Sequence, residues 1–156
     1  MSRRLALLLA VTDVVMILYW SLAGLLQIGL VDVPRDWMYA HYDHPEVVAW
    51  NWSFLPLDLA FSVLGLAAVA ASARGDGRWR PLALLSLSLT SVAGLMAISY
   101  WAILGAYDPA WFLPNLVLFA WPLAFMPRLV AEMGARALSD LTASVRSDQK
   151  GSNSKS

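Results

Sequence analysis

Two aspartates lie in stretches of the chain that otherwise carry only uncharged, mostly apolar residues. Asp13 interrupts a run that begins at Leu5, and Asp58 interrupts another that ends at Ala73. Because a charge is costly in hydrocarbon, an acid in such a place is either neutralised by a partner or kept for a function. Two carboxyl groups close together at low dielectric cannot both ionise, so we expect at least one to hold its proton at neutral pH. A neutral buried acid can protonate an apolar substrate.

Aromatic and amide side chains accompany the two acids at helical spacing. Trp20 lies seven residues after Asp13 and Asn51 seven before Asp58, so each pair shares one face of its helix. Aromatic faces stabilise a developing cation. We therefore predict Asp58 and Asp13 as catalytic residues, Asp58 as the acid and Asp13 as its partner. The predicted ligand-binding residues are Trp20, Gln27, Asn51, Tyr100, Trp101 and Asn115.

A structural role is the alternative for these acids. Pro56 frees a backbone carbonyl in its helix, and a protonated Asp58 would satisfy it or bridge neighbouring helices. Asp13 has no nearby proline or glycine that calls for such a donor.

The elements that must position these residues are membrane spans. The chain has 156 residues, of which 59% are hydrophobic and 14% charged. A soluble domain of this size could not hide so much apolar surface. A helix that crosses a bilayer needs roughly 20 apolar residues. The sequence predicts an all-α membrane protein of four spans in a bundle, at about Leu5–Leu30, Val47–Ala73, Pro81–Gly105 and Trp111–Leu129.

The placement of the acids in these spans puts them at a similar depth. At about 1.5 Å rise per residue, Asp13 and Asp58 each lie roughly 15 Å from opposite boundaries. We expect both near the midplane, where they could meet across the helix interface, and the sequence leaves open whether the two carboxyls touch.

Basic residues predict the orientation of the spans. Ten of the 11 Lys and Arg residues fall on one side, and Arg35 alone falls on the other. The side rich in basic residues faces the cytoplasm, so both termini are predicted inside. Residues 1–131 form the predicted membrane domain, and residues 132–156 a cytoplasmic tail with a short amphipathic helix and a disordered end.

The two halves of the chain share short matching strings. Ile17–Gly24 resembles Ile98–Gly105, and Phe54–Pro56 matches Phe112–Pro114. These matches predict a parallel repeat of two helix pairs, with sites at the repeat interface. Chance matching of apolar residues is the alternative.

Other chemistries find little support in the composition. His41 and His44 lie among acids in one loop, but their spacing fits no zinc pattern, so we expect no metal and no cofactor. The formal net charge of zero argues against a nucleic-acid partner. With no cysteine, neither disulfides nor thiolate chemistry are available.

The segment Val48–Asp58, together with Thr12-Asp13, Tyr19-Trp20 and the Leu-Pro-Asn of the fourth span, resembles the YvaD-like family of small four-helix membrane proteins. The likeness covers most of residues 11–129. That family has no assigned activity, so the resemblance implies topology and no mechanism. A fainter resemblance, in residue type alone, is to small membrane terpene cyclases with intramembrane acids.

Three functions are consistent with these features. The first is a midplane pocket for a lipophilic small molecule, as in a proton-initiated isoprenoid cyclase or isomerase, with membrane lipid as the other partner. The second is a small proton-coupled exporter of the multidrug type with Asp13 as its coupling residue, which would work as a homodimer because four helices make a narrow pathway. The third is a non-catalytic accessory that binds another membrane protein through Gly24, Gly65 and Gly94.

Overall fold

The computed structural model describes residues 1–34 and 41–153, and its regular elements in these ranges are all α-helices. They are α1 (Arg3–Gln27), α2 (Pro45–Ser53), α3 (Leu55–Ala73), α4 (Trp79–Ile103), α5 (Pro109–Leu123) and α6 (Met126–Asn153).

Four helical segments are long and apolar enough to cross a membrane, namely Arg3–Gln27, Pro45–Ala73, Trp79–Ile103 and Pro109–Arg146. They confirm the four predicted spans and indicate a multi-pass membrane protein.

Prolines explain why two spans are each built from two helices. Pro56 has no amide hydrogen for the carbonyl four residues earlier, and the second span breaks at Phe54 between α2 and α3. The fourth span contains Pro114 and Pro122 within α5 and breaks before α6, which carries Pro127 in its first turn. The sequence predicted a single helix for each of these spans.

The backbones of the spans pack one on the next in a row. α1 packs on α3, α3 on α4 and α4 on α5, while α2 packs on α3 and α6 touches α4 and α5. In the described residues no Cα atom of α1 comes within 8 Å of one of α5, although Trp121 of α5 packs against the same apolar cluster as Leu5 and Leu9 of α1. The backbones at the two ends of the row are therefore not in close contact.

Two apolar clusters mark the two halves of the bundle. The first joins Leu5 and Leu9 of α1 to Ala68 of α3, Leu87 of α4 and Leu129 of α6. The N-terminus and the start of α6 therefore lie at the same end of the molecule. The second cluster, around Trp20, Phe54, Phe61, Ala93 and Ala97, lies towards the other end.

Glycines close the helices at the turns. Gly75 after α3 and Gly105 after α4 have φ values of +71° and +68°, which residues with a Cβ seldom adopt. In the α3–α4 turn, Asp76 accepts hydrogen bonds from the Arg78 amide (2.9 Å) and from its Nε (2.8 Å). These bonds hold the pKa of the Asp76 carboxyl below its usual range.

The tail differs from the prediction in its extent. α6 continues to Asn153, where the sequence predicts a disordered end from Asp148 onwards. Between Arg128 and Asn153 the helix contains no proline, and residues 154–156 lie outside the described part of the chain. Exposed apolar residues follow its length, including Val130, Leu138, Leu141 and Val145, as expected for an amphipathic helix.

Candidate functional site

A cavity of about 210 Å³ lies in the half of the bundle away from the termini. It is lined by the second half of α1, by α2, by the start of α3, by the second half of α4 and by the first half of α5. The lining residues with polar groups are Tyr19, Trp20, Trp50, Asn51, Asp58, Trp101, Trp111 and Asn115. Five of the predicted site residues are thus brought together: Trp20, Asn51, Asp58, Trp101 and Asn115.

Asp58 is the acid of this cavity. Its side chain is 5% exposed, and its Oδ2 accepts a hydrogen bond of 2.9 Å from Trp20 Nε1. Its Oδ1 is buried and has no hydrogen-bond partner among the described residues. The indole therefore fixes the orientation of the carboxyl, and the second oxygen keeps an unused hydrogen-bonding position.

Aromatic rings hold one another in place around Asp58. Trp50 stacks on Tyr100, with ring centroids 4.0 Å apart and planes 18° apart. The same indole meets Trp101 edge to face at 5.9 Å, and Trp20 meets Tyr19 edge to face at 5.1 Å. Such geometries favour a rigid arrangement of rings. The cavity wall therefore presents fixed aromatic surface to whatever lies beside the acid.

Two amides supply the remaining polar groups of the lining. Asn51 Oδ1 lies 3.4 Å from the Tyr19 hydroxyl, which donates to it, and its Nδ2 is buried without a partner among the described residues. Asn115 Nδ2 donates to the carbonyl of Trp111 at 2.8 Å. Asn51 thus keeps an unpaired donor in the cavity wall, while Asn115 uses one donor within its own helix.

Asp13 does not belong to this cavity. Its side chain is 0% exposed and lies against Gly65 of α3, two helical turns from Asp58. The two carboxyls, which the sequence allows to meet, are not hydrogen-bonded to each other. A helix of 25 residues, such as α1, is about 37 Å long. Two groups about 15 Å from opposite ends of such helices remain several ångströms apart.

Gln27 and Tyr100 also lie outside the lining. Gln27 is the exposed last residue of α1, two turns beyond Trp20 on the same face. Tyr100 touches the site through the ring of Trp50. It is thus a second layer behind the wall and not a direct contact.

Several residues of the lining were not among the predicted site residues. They are apolar or aromatic and include Phe54, Ala93, Ala97 and Trp111. Ala93, Ala97 and Trp101 recur every four residues, which places two small side chains and one ring on a single face of α4. That spacing indicates a helix face that lines a cavity. It was not predicted because the predicted site residues were chosen mainly for their polar groups.

The histidines do not assemble a metal site with their neighbours. His41 lies 6.0 Å from the Trp101 ring, and His44 Nδ1 lies 3.3 Å from the Glu46 carboxylate. Within residues 1–34 and 41–153 no three His, Asp or Glu side chains are grouped to hold a metal ion. Asp36, which the sequence places near them, lies outside the described residues.

Comparison with known proteins identifies relatives without a known activity. Residues 5–136 match a family of unknown function (DUF5360). The chain is 41% identical over 130 residues to the uncharacterized protein YvaD of Bacillus subtilis (strain 168), an alignment that covers 83% of this chain and 94% of YvaD. No solved structure matches.

Proposed function

The chain belongs to the DUF5360 family, whose function is unknown, and from the geometry of its cavity we propose that it binds a small lipophilic molecule on which Asp58 acts. The observation that carries the proposal is the Asp58 carboxyl in the wall of an aromatic cavity, with its Oδ1 unpaired among the described residues. Polar glue between helices would have both oxygens engaged and would need no cavity beside them.

The size of the cavity limits the ligand. A cavity of roughly 150 Å³ holds benzene. A volume of about 210 Å³ therefore suits a compact molecule of roughly ten heavy atoms, such as a short isoprenoid. Long-chain isoprenoids would extend out of the cavity, and we propose that they would do so between α1 and α5, which both line it.

The reaction we propose is proton-initiated isomerisation or cyclisation. A neutral Asp58 gives its proton to one carbon of an alkene, so that a C–H bond forms from the π electrons and the adjacent carbon becomes cationic. The faces of Trp20, Trp50 and Trp101 stabilise that cation. Loss of a proton from another carbon to the Asp58 carboxylate forms a new alkene and restores the acid. Atoms and charge balance without any cofactor.

For the topology we propose that both termini lie in the cytoplasm. Arg3, Arg74, Arg80 and Arg128 stand at the helix ends that surround the first apolar cluster, which supports an inside-positive assignment. The cavity then lies in the outer half of the membrane. We further propose that the two halves of the chain are related, since Trp20 and Trp101, which correspond in the matching strings, both line the cavity.

Proton-coupled export is the second candidate. A single carboxyl among aromatic rings also suits an organic cation, which would displace the proton of Asp58 on binding. The accessory function has less support, because Gly65 faces Asp13 and Gly94 faces α5 inside the bundle. Only Gly24 of the three glycines is left without a neighbour within 4 Å.

Mass spectrometry of small molecules that copurify with the protein tests the proposal. We expect one discrete lipophilic compound with wild type, and its loss or replacement by a different compound with Asp58→Asn. Asp140→Asn, a change at an exposed site on α6, is the matched control and should retain the compound. Only bulk lipid, identical in wild type and both folded variants, would contradict a pocket that holds its ligand. Proton release on addition of a small tertiary ammonium compound, abolished by Asp58→Asn, would instead favour the exporter.

A further inference from the structure

The second half of α6 extends away from the bundle. Leu129, in the first turn of α6, is 3% exposed and belongs to the first apolar cluster, and Met133 packs against that cluster one turn later. Every residue from 134 to 146 is exposed. α6 therefore leaves the bundle after Met133 and continues as an exposed helix for about 20 Å.

An apolar stripe runs along this exposed helix. At about 100° per residue, its four large members fall within an arc of about 80°, and they are Val130, Leu138, Leu141 and Val145. These side chains are 53–67% exposed. The charged residues of the segment lie on the other side of the helix. A helix with such a face is stable when something apolar covers that face.

The stripe is not the side of α6 that packs on the bundle. Leu129 and Met133 lie about 40° apart around the helix axis, and the middle of the stripe is turned about 120° away from them. Asp140 continues the line of Leu129 and Met133 two turns further on, and it is exposed and charged. The stripe therefore needs a partner other than the bundle.

α6 leaves the bundle at the level of the membrane surface. α5 has 15 residues and is about 22 Å long, so the first two turns of α6 are needed to complete a span of about 30 Å. The cluster that holds Leu129 also contains Trp79, the first residue of α4, and Arg80 Cζ lies 4.5 Å from the centroid of the Trp79 ring. Indole and guanidinium groups are typical of the boundary between hydrocarbon and headgroups. The stripe therefore begins where the interior of a bilayer ends.

A second copy of α6 matches the stripe less well than a lipid surface does. Helices that pair along a seam need large apolar residues at alternating intervals of three and four, sustained over at least about three heptads. Leu138, Leu141 and Val145 satisfy this spacing, but the same spacing reaches Gly134 on one side and Asp148 on the other. The seam is therefore about one heptad long. A membrane surface requires only a continuous apolar face that begins at the bilayer, which the stripe provides.

The charges of α6 indicate that the lipid need not be anionic. Residues 128–146 contain three arginines and two acids, and Glu132 accepts a hydrogen bond of 3.0 Å from Arg128 Nε. The net attraction to anionic headgroups is therefore small. Contact of the apolar stripe with acyl chains must supply most of the attachment.

We propose that the stripe lies in the boundary between headgroups and acyl chains, so that α6 runs along the membrane surface on the side of the N-terminus. Leu141 then faces the lipid and Ser139 faces the water. The partner is the phospholipid of that leaflet. This attachment goes beyond the proposed function and does not depend on it, and it holds whichever side of the membrane the N-terminus occupies.

Spin labelling of the full-length protein in phosphatidylcholine vesicles tests this arrangement. The chain has no cysteine, so a nitroxide is attached at Leu141→Cys on the stripe or at Ser139→Cys, the matched control on the opposite face. Oxygen concentrates in the bilayer, whereas a nickel chelate stays in water. We expect the ratio of oxygen to nickel collision rates to be at least about threefold higher at residue 141 than at residue 139.

A second arm disrupts the stripe. With the nitroxide at Val145→Cys, Leu138→Glu should raise the nickel collision rate at least about threefold, because a carboxylate on the stripe opposes its burial in lipid. Ser139→Glu adds the same charge on the opposite face and should leave that rate unchanged.

Three results would overturn the proposal. Equal nickel access at residues 139 and 141 would place the helix in water. Spin–spin broadening, with low access of both reagents at residue 141, would show that a second copy covers the stripe. An unchanged nickel collision rate at residue 145 in the Leu138→Glu variant would show that the stripe carries no attachment. Neither a ligand nor turnover enters these measurements, so their outcome is separate from that of the proposed function.

Discussion

At the scale of single residues, the contact between Asp13 and Gly65 is the most constrained in the bundle. The carboxyl occupies the place that a Cβ at residue 65 would take, with the Ser86 hydroxyl 2.8 Å from the same point. The Asp13 side chain therefore keeps its position only because residue 65 has no side chain.

We predict that Gly65→Ala lowers the free energy of unfolding by about 1–3 kcal/mol, because the buried carboxyl must be displaced. The same change in an Asp13→Ala background should cost much less, since the carboxyl is then gone. Thermal unfolding in detergent of the two single variants and the double variant measures this coupling. Gly24→Ala has no atom to meet within 4 Å and serves as the control. Additive costs in the double variant would show that the two residues do not touch.

The residues of the site were more predictable than their pairing. The seven-residue spacings placed Trp20 with Asp13 and Asn51 with Asp58 on shared faces, and Trp20, Asn51 and Asp58 all line the cavity. The partner of Asp58 is nevertheless Trp20, and that of Asp13 is Gly65. Sequence spacing fixes positions within one helix, but the vertical offset between two helices depends on how their side chains fit. Because glycine carries no functional group, the contact of Gly65 with Asp13 could not be predicted from residue type.

At the scale of the elements, the backbones of α4 and α5 approach each other closely at Gly94. A Cβ on Gly94 would lie 2.5 Å from the Phe119 amide nitrogen and 2.6 Å from the Asn115 carbonyl oxygen. Because these are backbone atoms, no rotation of a side chain relieves the contact. Gly94 thus sets the distance between the two helices that carry Trp101 and Asn115 into the cavity.

We predict that Gly94→Ala pushes α5 away from α4, lowers the unfolding temperature and weakens retention of the copurifying compound. The unfolding temperature and the amount of retained compound should fall together, because the same displacement moves Asn115 and Trp111 away from their positions in the cavity wall. Gly134→Ala, on the open surface of α6, is the matched control. A Gly94→Ala protein as stable as wild type would contradict the helix spacing described above.

The elements themselves were largely predictable. Long uncharged runs identify spans because few residue types are tolerated in hydrocarbon. The break at Phe54 and the break between α5 and α6 were not predicted, although Pro56 and Pro122 indicated part of them. The extension of α6 to Asn153 was not predicted either. Proline marks where a helix is weakened, but neighbouring contacts decide whether it bends, breaks or continues.

At the scale of the whole molecule, the N-terminus and the start of α6 lie at one end of the bundle, and the α1–α2 connection and the cavity lie towards the other. The absence of native cysteine makes this arrangement directly testable. Single substitutions Ser2→Cys, Asp43→Cys and Ser139→Cys place one thiol at a chosen position in each chain.

We predict that a membrane-impermeant maleimide labels Asp43→Cys in intact cells, because residue 43 lies outside by the distribution of basic residues. Ser2→Cys and Ser139→Cys should react only after the cells are opened. Labelling of all three variants in denaturant confirms that each introduced thiol can react with the maleimide. Labelling of Ser2→Cys in intact cells would reverse the proposed orientation and place the cavity in the inner half of the membrane.

The position of the cavity between α1 and α5 has a kinetic consequence. A ligand that enters between these two helices arrives from the bilayer, so its encounter rate depends on its mole fraction among the lipids and not on its concentration in water. Partitioning would enrich a sparingly soluble compound around the protein long before the aqueous phase held a measurable amount. Added protein-free vesicles would then act as a competing reservoir, and turnover would fall by surface dilution although every molecule of protein and ligand was still present.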